Sequence, residues 1–276
     1  MTQVVDQTTA KQRIAGTYSG ADNWDRVEQY EEAMRWKAAH PQQGSYVASK
    51  ALELPRGRIR TWFEGGKPDA LHAIETAESQ GWLDAAAGDR IFEGLSVLHA
   101  WILAGGSISQ ETYLPSFAVG PSDPVELVSE AFAAIGLPTR SINDTSTKRA
   151  REIRPKGQGR SHLGRFLHGV LNAPVGEKTQ IGAKPLRYLG SAPKMTLLRW
   201  CRTYTTLRGT PIELVQNKRM VRLGEKRSQA YRNALSALFR DVVDDGTQIT
   251  VKRRSIVLRD DAVDTLDQVP TLPRSS

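Results

Sequence analysis

The sequence predicts an α+β fold in two parts: an all-helical N-terminal unit, then a larger duplicated core with pseudo-twofold symmetry. Three observations carry this prediction. Residues 23–88 show helical spacing punctuated by proline and glycine, two similar segments lie 69 positions apart beyond them, and basic residues crowd into one half of the chain. The length of 276 residues suits one large domain or two joined ones. With 39% hydrophobic and 25% charged residues, the composition excludes wholesale disorder and fibrous classes.

Residues 1–22 are polar, without the apolar stretch of a secretory signal, and read as a disordered tail. The longest apolar run, Leu95 to Ile108, contains His99 and falls short of the about twenty residues that span a bilayer, so no membrane partner is expected. Cys201 is the single cysteine, which leaves no internal disulfide and no multi-cysteine metal site. No cofactor is expected, and the expected location is cytoplasmic.

Residues 23–88 come next. From Asn23 to Ala39, Trp24, Val27, Tyr30, Met34 and Trp36 recur at nearly helical spacing until Pro41 and Gly44 stop the pattern. Short helices follow over Ser45–Leu52 and Pro55–Glu64, the second opened by a proline suited to a first helical position and closed by Gly65-Gly66. A fourth covers Asp69–Gln80. Ala48 is small where the two short helices must approach, and Ile59 and Trp62, three apart, face the core together. Arg56, Arg58, Arg60 and Thr61 share the remaining faces, with Lys67 just beyond, although the three arginines cannot all point one way. This is the shape of a helix-turn-helix, whose second helix lies in the major groove with arginine forks matched to guanine O6 and N7. The alternative is a helical hairpin with solvated basic residues. The agreement of proline start, apolar spacing, glycine end and basic outer face favours DNA.

Residues 138–240 hold 22 lysines and arginines against five acids, a net of +17, while the rest of the chain carries −9. Such polarity marks a surface for a polyanion, and nucleic acid fits better than membrane because no long basic amphipathic helix stands out. A merely solubilising face would intersperse both signs.

Beyond residue 88 the chain repeats itself. Leu98–Gly106 (LHAWILAGG) and Leu167–Val175 (LHGVLNAPV) share Leu, His and Ala at matching places, and Ser122 and Pro124 match Ser191 and Pro193 at the same offset. Each copy reads as an apolar helix, a strand (Tyr113–Val119; Leu186–Leu189), Ser-x-Pro, and a helix ending at Gly136 or Gly209. The expected division is repeats at 89–138 and 161–266, joined by a basic linker at 139–160.

Ala100–Ser109 (AWILAGGSIS) and Arg165–Val175 (RFLHGVLNAPV) resemble the motif helices of the LAGLIDADG homing endonuclease family, a resemblance covering about residues 91–262. It implies two motif helices packed along a pseudo-dyad and two curved antiparallel sheets forming a saddle over duplex DNA. It also implies a carboxylate at each helix end holding the divalent metals that cleave. This chain departs from that pattern. Gly105 and Pro174 stand at the two acid positions, and Leu103 and Asn172 at the less critical ones before them. Two-metal cleavage needs hard carboxylate ligands at the dyad. Glu111 and Glu177 lie near but in unlike places, so the cleavage centre is expected to be dead and no metal is expected.

His99 and His168 occupy equivalent places in the repeat, and without a third ligand they read as packing residues. No Walker loop, HExxH or Gly-x-Ser-x-Gly elbow occurs. Lys148 to Arg160 holds six bases, Lys148, Arg149, Arg151, Arg154, Lys156 and Arg160, around Gly157-Gln158-Gly159; it is either a solvated link or an arm tracking phosphates. Lys184, Arg187, Lys218 and Arg219 are further candidate phosphate contacts. Arg227–Phe239 reads as a core helix. Thr247–Val251 and Ser255–Leu258 read as a hairpin around Lys252-Arg253-Arg254, a DNA-touching wing or an ordinary turn. Residues 267–276 read as a disordered tail.

The expected function is sequence-specific binding of double-stranded DNA by a transcriptional regulator built on a catalytically inactive core. It would be nucleoid-associated, with the transcription machinery as a further partner. The alternatives are a metal-dependent site-specific endonuclease with atypical ligands and a protein-interaction core carried by the helix-turn-helix.

Overall fold

Four helices over residues 23–79 bear out the local punctuation of the sequence: α2 (Asn23–Ala39), α3 (Ser45–Ala51), α4 (Arg56–Phe63) and α5 (Asp69–Ser79). The computed structural model describes residues 6–20, 22–144, 150–243, 246–270 and 272. Ala33, Ala48, Ile59 and Trp62 form a small core among α2, α3 and α4, bordered by Tyr30, Trp36, Leu52, Leu54 and Phe63. The Tyr30 and Trp62 rings meet edge to face at 5.6 Å, a favoured aromatic geometry. Lys37 Nζ donates to the Phe63 carbonyl at 2.7 Å, a cation at the negative end of α4. The apolar face of α5 (Ala70, Leu71, Ala73, Ile74, Ala77) belongs to the larger core instead.

A helix also precedes these four. α1 (Gln7–Ala15) occupies part of the expected N-terminal tail, which is a correction. Asp6 caps it by accepting from the Thr9 N–H at 2.9 Å. Its buried face is only Ala10, Ile14 and Ala15, so the amphipathic signal is faint in a polar sequence, and it gains its stability by packing on α5.

After Trp82 two runs of elements follow in one order. The first is α6 (Arg90–Ala104), β1 (Ser107–Ile108), β2 (Pro115–Val119), α7 (Val125–Ala134), β3 (Thr139–Ile142), β4 (Arg151–Pro155) and α8 (Arg160–Gly169). The second is α9 (Lys194–Arg208), β5 (Glu213–Val215), β6 (Lys218–Gly224), α10 (Gln229–Val242), β7 (Ile249–Lys252), β8 (Ser255–Arg259) and α11 (Asp261–Asp267). Both sheets are antiparallel and four-stranded, in the orders β1-β2-β4-β3 and β5-β6-β8-β7. The fold is therefore mixed α+β.

Four expectations are corrected here. The 69-residue spacing aligns α6 with α8, but α6 packs along α9 more extensively than against any other element, whereas α8 packs chiefly on α5 and α1. Element order likewise pairs α6 with α9. Scattered identities between two apolar helix ends carry no information about strand pairing. The strand expected at Leu186–Leu189 is instead a 3₁₀ helix, Lys184–Ser191. The expected linker at 139–160 supplies β3 and β4, paired from Thr139↔Pro155 to Ile142↔Glu152, because Ile153 and Pro155 alternate with polar residues and bury one face. At the C-terminus, Asp267 ends α11, and Val269 and Leu272 are buried, so this part of the expected tail packs on the core. Among the described residues no helix is long and apolar enough to cross a membrane.

Candidate nucleic-acid interface

The turn between α3 and α4 is tight. Glu53 takes a left-handed φ of 53°, and Leu54 N–H returns to the Ser49 carbonyl at 3.2 Å. With Ile59 and Trp62 facing inward, α4 presents Arg56 and Arg60, one turn apart, together with Thr61, all exposed. Arg56 lies 5.6 Å from the ring centre of Tyr46, which is 57% exposed at the start of α3 beside exposed Val47. Arg60 pairs with Glu64 at 2.8 Å, an exposed i,i+4 contact that another anion could displace at little cost. Thr61 donates its hydroxyl to the Gly57 carbonyl at 3.0 Å. Arg58 points elsewhere: its Nη1 donates to Gln29 Oε1 on α2 at 2.6 Å, and its guanidinium lies 5.9 Å from the Trp62 ring. Lys67 is paired with Glu75 at 2.6 Å. Tyr46 was missed by the sequence reading; its signal was an aromatic at a helix start with no apolar partner at helical spacing.

The two sheets carry further cations on the faces turned from the core. On the first, Arg140 stands opposite Arg154 across β3 and β4, and Arg154 is held by Glu152 at 2.5 Å. On the second, Lys218, Arg222, Lys252 and Arg259 fall on one face by strand parity, with Arg222 opposite Val257 and Lys252 opposite Ser255. Lys252, Arg253 and Arg254 are all exposed at the hairpin turn, as the hairpin reading requires. Arg219 is on the other parity and is held by Asp264 and, at 3.2 Å, by Asp267. Arg151 pairs with Asp144 at 2.9 Å, while Lys156 and Arg160 are exposed. Lys184 and Arg187 sit on the 3₁₀ helix, apart from either sheet. Lys148 and Arg149 lie outside the described residues.

The C-terminal ends of α6 and α9 hold a buried ionic cluster. Gly105 caps α6 and Gly209 caps α9, each donating its N–H four residues back, to Trp101 O at 2.9 Å and Thr205 O at 2.7 Å. Pro174 follows α8 and is thus not at the end of either central helix, which corrects its expected place. Cations occupy the end of α6. Lys178 Nζ donates to Ile102 O at 2.7 Å and to Gly106 O, and Arg227 Nη2 donates to Leu103 O. This suits the negative end of a helix. Burial, then the charges of Arg227 and Arg208, lower the Lys178 pKa to about 8. The one carboxylate here, Glu225, is fully buried and already engaged, accepting from Tyr204 Oη at 2.5 Å and pairing with Arg227 at 3.1 Å.

No family model, no curated protein and no solved structure matches this chain.

The two histidines of the apparent repeat are not brought together. His99 is fully buried between α6 and α9, where burial drives its pKa down to about 3. His168, on α8, uses Nδ1 on the Ala173 carbonyl at 2.7 Å. Glu111 is exposed, and Glu177 is exposed and accepts from Thr179 at 2.6 Å. Among the described residues, no group of three His, Cys, Asp or Glu could enclose a metal ion.

Proposed function

We propose that the protein is a sequence-specific double-stranded DNA-binding protein, a transcriptional regulator that binds without cleaving. In this reading α3 and α4 are a helix-turn-helix whose second helix reads bases. The two runs from α6 to α8 and from α9 to α11 form a pseudo-twofold saddle resembling an inactive LAGLIDADG homing endonuclease. The observation that carries the reading is the outer surface of α4, where Arg56, Arg60 and Thr61 stand exposed beside Tyr46 while Ile59 and Trp62 anchor the helix from behind. That is the side-chain set a major groove accepts: guanidinium forks for guanine edges, and a hydroxyl and a phenol for phosphate.

The saddle is supported by the matching strand orders of the two sheets and by cations on their outward faces. Binding without cleavage is supported by the ends of α6 and α9, where glycine caps and cations stand in place of paired carboxylates and Glu225 is consumed by Tyr204 and Arg227. The competing reading, a metal-dependent endonuclease, would need ligands from exposed Glu111 and Glu177, which lie on separate segments. Two binding units on one chain raise each other's effective concentration when both engage.

Selection of bound duplexes from a random pool, followed by anisotropy titration from about 50 to 200 mM salt, tests the proposal. The expected result is an enriched motif whose affinity falls by about 10³ or more if six or more phosphates are contacted. An unenriched pool together with salt-independent affinity would refute it.

A further inference from the structure

Two adjoining clefts, of 460 and 290 Å³, open between the end of α1, the end of α8 and the 3₁₀ helix Lys184–Ser191. They share Arg13, Asn172 and Lys184, and the smaller adds Arg187. No aspartate or glutamate lines either one. Arg13 from α1 and Lys184 and Arg187 from the 3₁₀ helix converge on one opening, none of them in an ion pair among the described residues, and the Arg13 charge acts on Asp6 only as the weakest of the effects that hold that carboxyl low. Like charges held together repel unless an anion joins them, and guanidinium and ammonium groups suit phosphate oxygens.

The wall of the cleft is fixed before any ligand arrives. Arg165 donates to Thr17 O at 2.6 Å and to Thr17 Oγ1 at 3.1 Å. Its guanidinium lies between Tyr18 and Tyr113, 3.6 and 4.3 Å from their ring centres. Thr17 in turn donates its hydroxyl to Ile14 O at 2.6 Å, which pins the turn leaving α1. Gly169 makes the junction possible, since a Cβ there would sit 2.8 Å from the Arg13 carbonyl oxygen. That close approach sets Arg13 opposite the 3₁₀ helix. His168 also lines the opening, and a ring nitrogen that donates to the Ala173 carbonyl leaves Nε2 of the neutral ring as an acceptor for a hydroxyl.

We propose that this cleft binds a phosphorylated small molecule of about mononucleotide size, with the phosphate held by Arg13, Lys184 and Arg187 and the remainder seated along Thr17, His168 and Asn172. The volume lies in the usual range for small-ligand sites. The cleft joins α1, α8 and the segment leading into α9, so an occupant would tie the N-terminal helix to the core. The inference does not depend on DNA binding. A duplex phosphate is the other source of the same chemistry, and the test separates the two.

Thermal unfolding and calorimetry of the full chain with adenosine monophosphate, inorganic phosphate and adenosine provide that test, beside a short duplex as competitor. A saturable stabilisation by the monophosphate and by inorganic phosphate, but not by adenosine, is expected. Arg13→Gln and Arg187→Gln should each weaken it by about tenfold or more, the size of a lost charged hydrogen bond, while leaving the unfolding temperature of the free protein unchanged. A cleft that belongs instead to the duplex surface would show the duplex displacing the monophosphate, with both variants losing duplex affinity in parallel. That outcome, or the absence of any saturable response to either phosphate, would overturn the proposal. Normal phosphate binding by a protein that fails to bind DNA would leave this site standing and remove only the DNA reading.

Discussion

The indole N–H of Trp200 donates to His99 Nδ1 at 3.2 Å, and both rings are fully buried where α6 crosses α9. The bond fixes the imidazole as the neutral tautomer with its proton on Nε2. The Trp200 ring stacks in turn on Tyr204 at 5.3 Å, so this aromatic row links the middle of the helix pair to the ionic cluster at its end.

Acid sensitivity follows from this pair. His99 keeps a folded pKa of about 3 against an ordinary 6.5, so the unfolded chain binds its proton first. Above pH 6.5 neither state is protonated and the residue contributes no pH dependence. Below it, stability should fall by about 1.4 kcal/mol per pH unit until pH approaches 3. Urea midpoints measured across that window should fall more steeply for the native protein than for His99→Gln. Equal slopes would show that His99 is not the group responsible.

The three arginines of α4 should separate by role. Arg56→Ala or Arg60→Ala should reduce the preference for the selected site by about 1–3 kcal/mol while changing unfolding little. Arg58→Ala should instead cost stability and weaken all duplexes alike, because it removes the bond to Gln29 and the contact over Trp62. Competition binding with matched and mismatched duplexes distinguishes these patterns, and a specificity loss confined to Arg58 would reverse the assignment.

Gly164 on α8 is set against the chain at Tyr113, and a Cβ at that position would overlap the Tyr113 carbonyl oxygen. The obstacle is backbone, so it cannot rotate away. Gly164→Ala should destabilise the protein by about 1–3 kcal/mol or more, despite alanine's better helix propensity. Denaturant unfolding that found this variant as stable as the native chain would contradict the close approach.

Binding and cleavage should also separate. With magnesium or manganese the protein should bind its selected duplex and leave it intact, because the α6 end is closed by Lys178 and Arg227 instead of open to a hydrated cation. Gel analysis of supercoiled and linear substrates provides the readout. Metal-dependent scission lost in Glu111→Gln or Glu177→Gln would support the endonuclease reading instead.

The local code was legible where a helix contains its own evidence. Ala48, Ile59 and Trp62 are buried as their spacing predicts, and the bounds of α2 to α5 follow proline, glycine and apolar period. The basic hairpin was legible for the same reason, since β7 and β8 are adjacent in sequence and pair across the short basic turn at Arg253 and Arg254. The candidate interface was legible as a list of charges and not as a surface. Nothing in the order of residues 56–60 says that Arg58 reaches Gln29 while Arg56 turns to Tyr46, because those partners lie on other helices.

The sequence by itself determined the α+β class, the helical N-terminal unit, the uneven distribution of charge and the glycine at the end of α6. Those properties depend on composition and on residues within a turn or two of each other. Only the tertiary structure decided that α1 is a helix, that residues 139–142 and 151–155 pair as strands, and that α9 rather than α8 is the partner of α6. It alone also brought Lys178 to the Ile102 carbonyl and set Arg13 beside Lys184. Each of these outcomes turns on a contact between residues far apart in the chain. Its free energy comes from burying surface or charge that a local window does not contain.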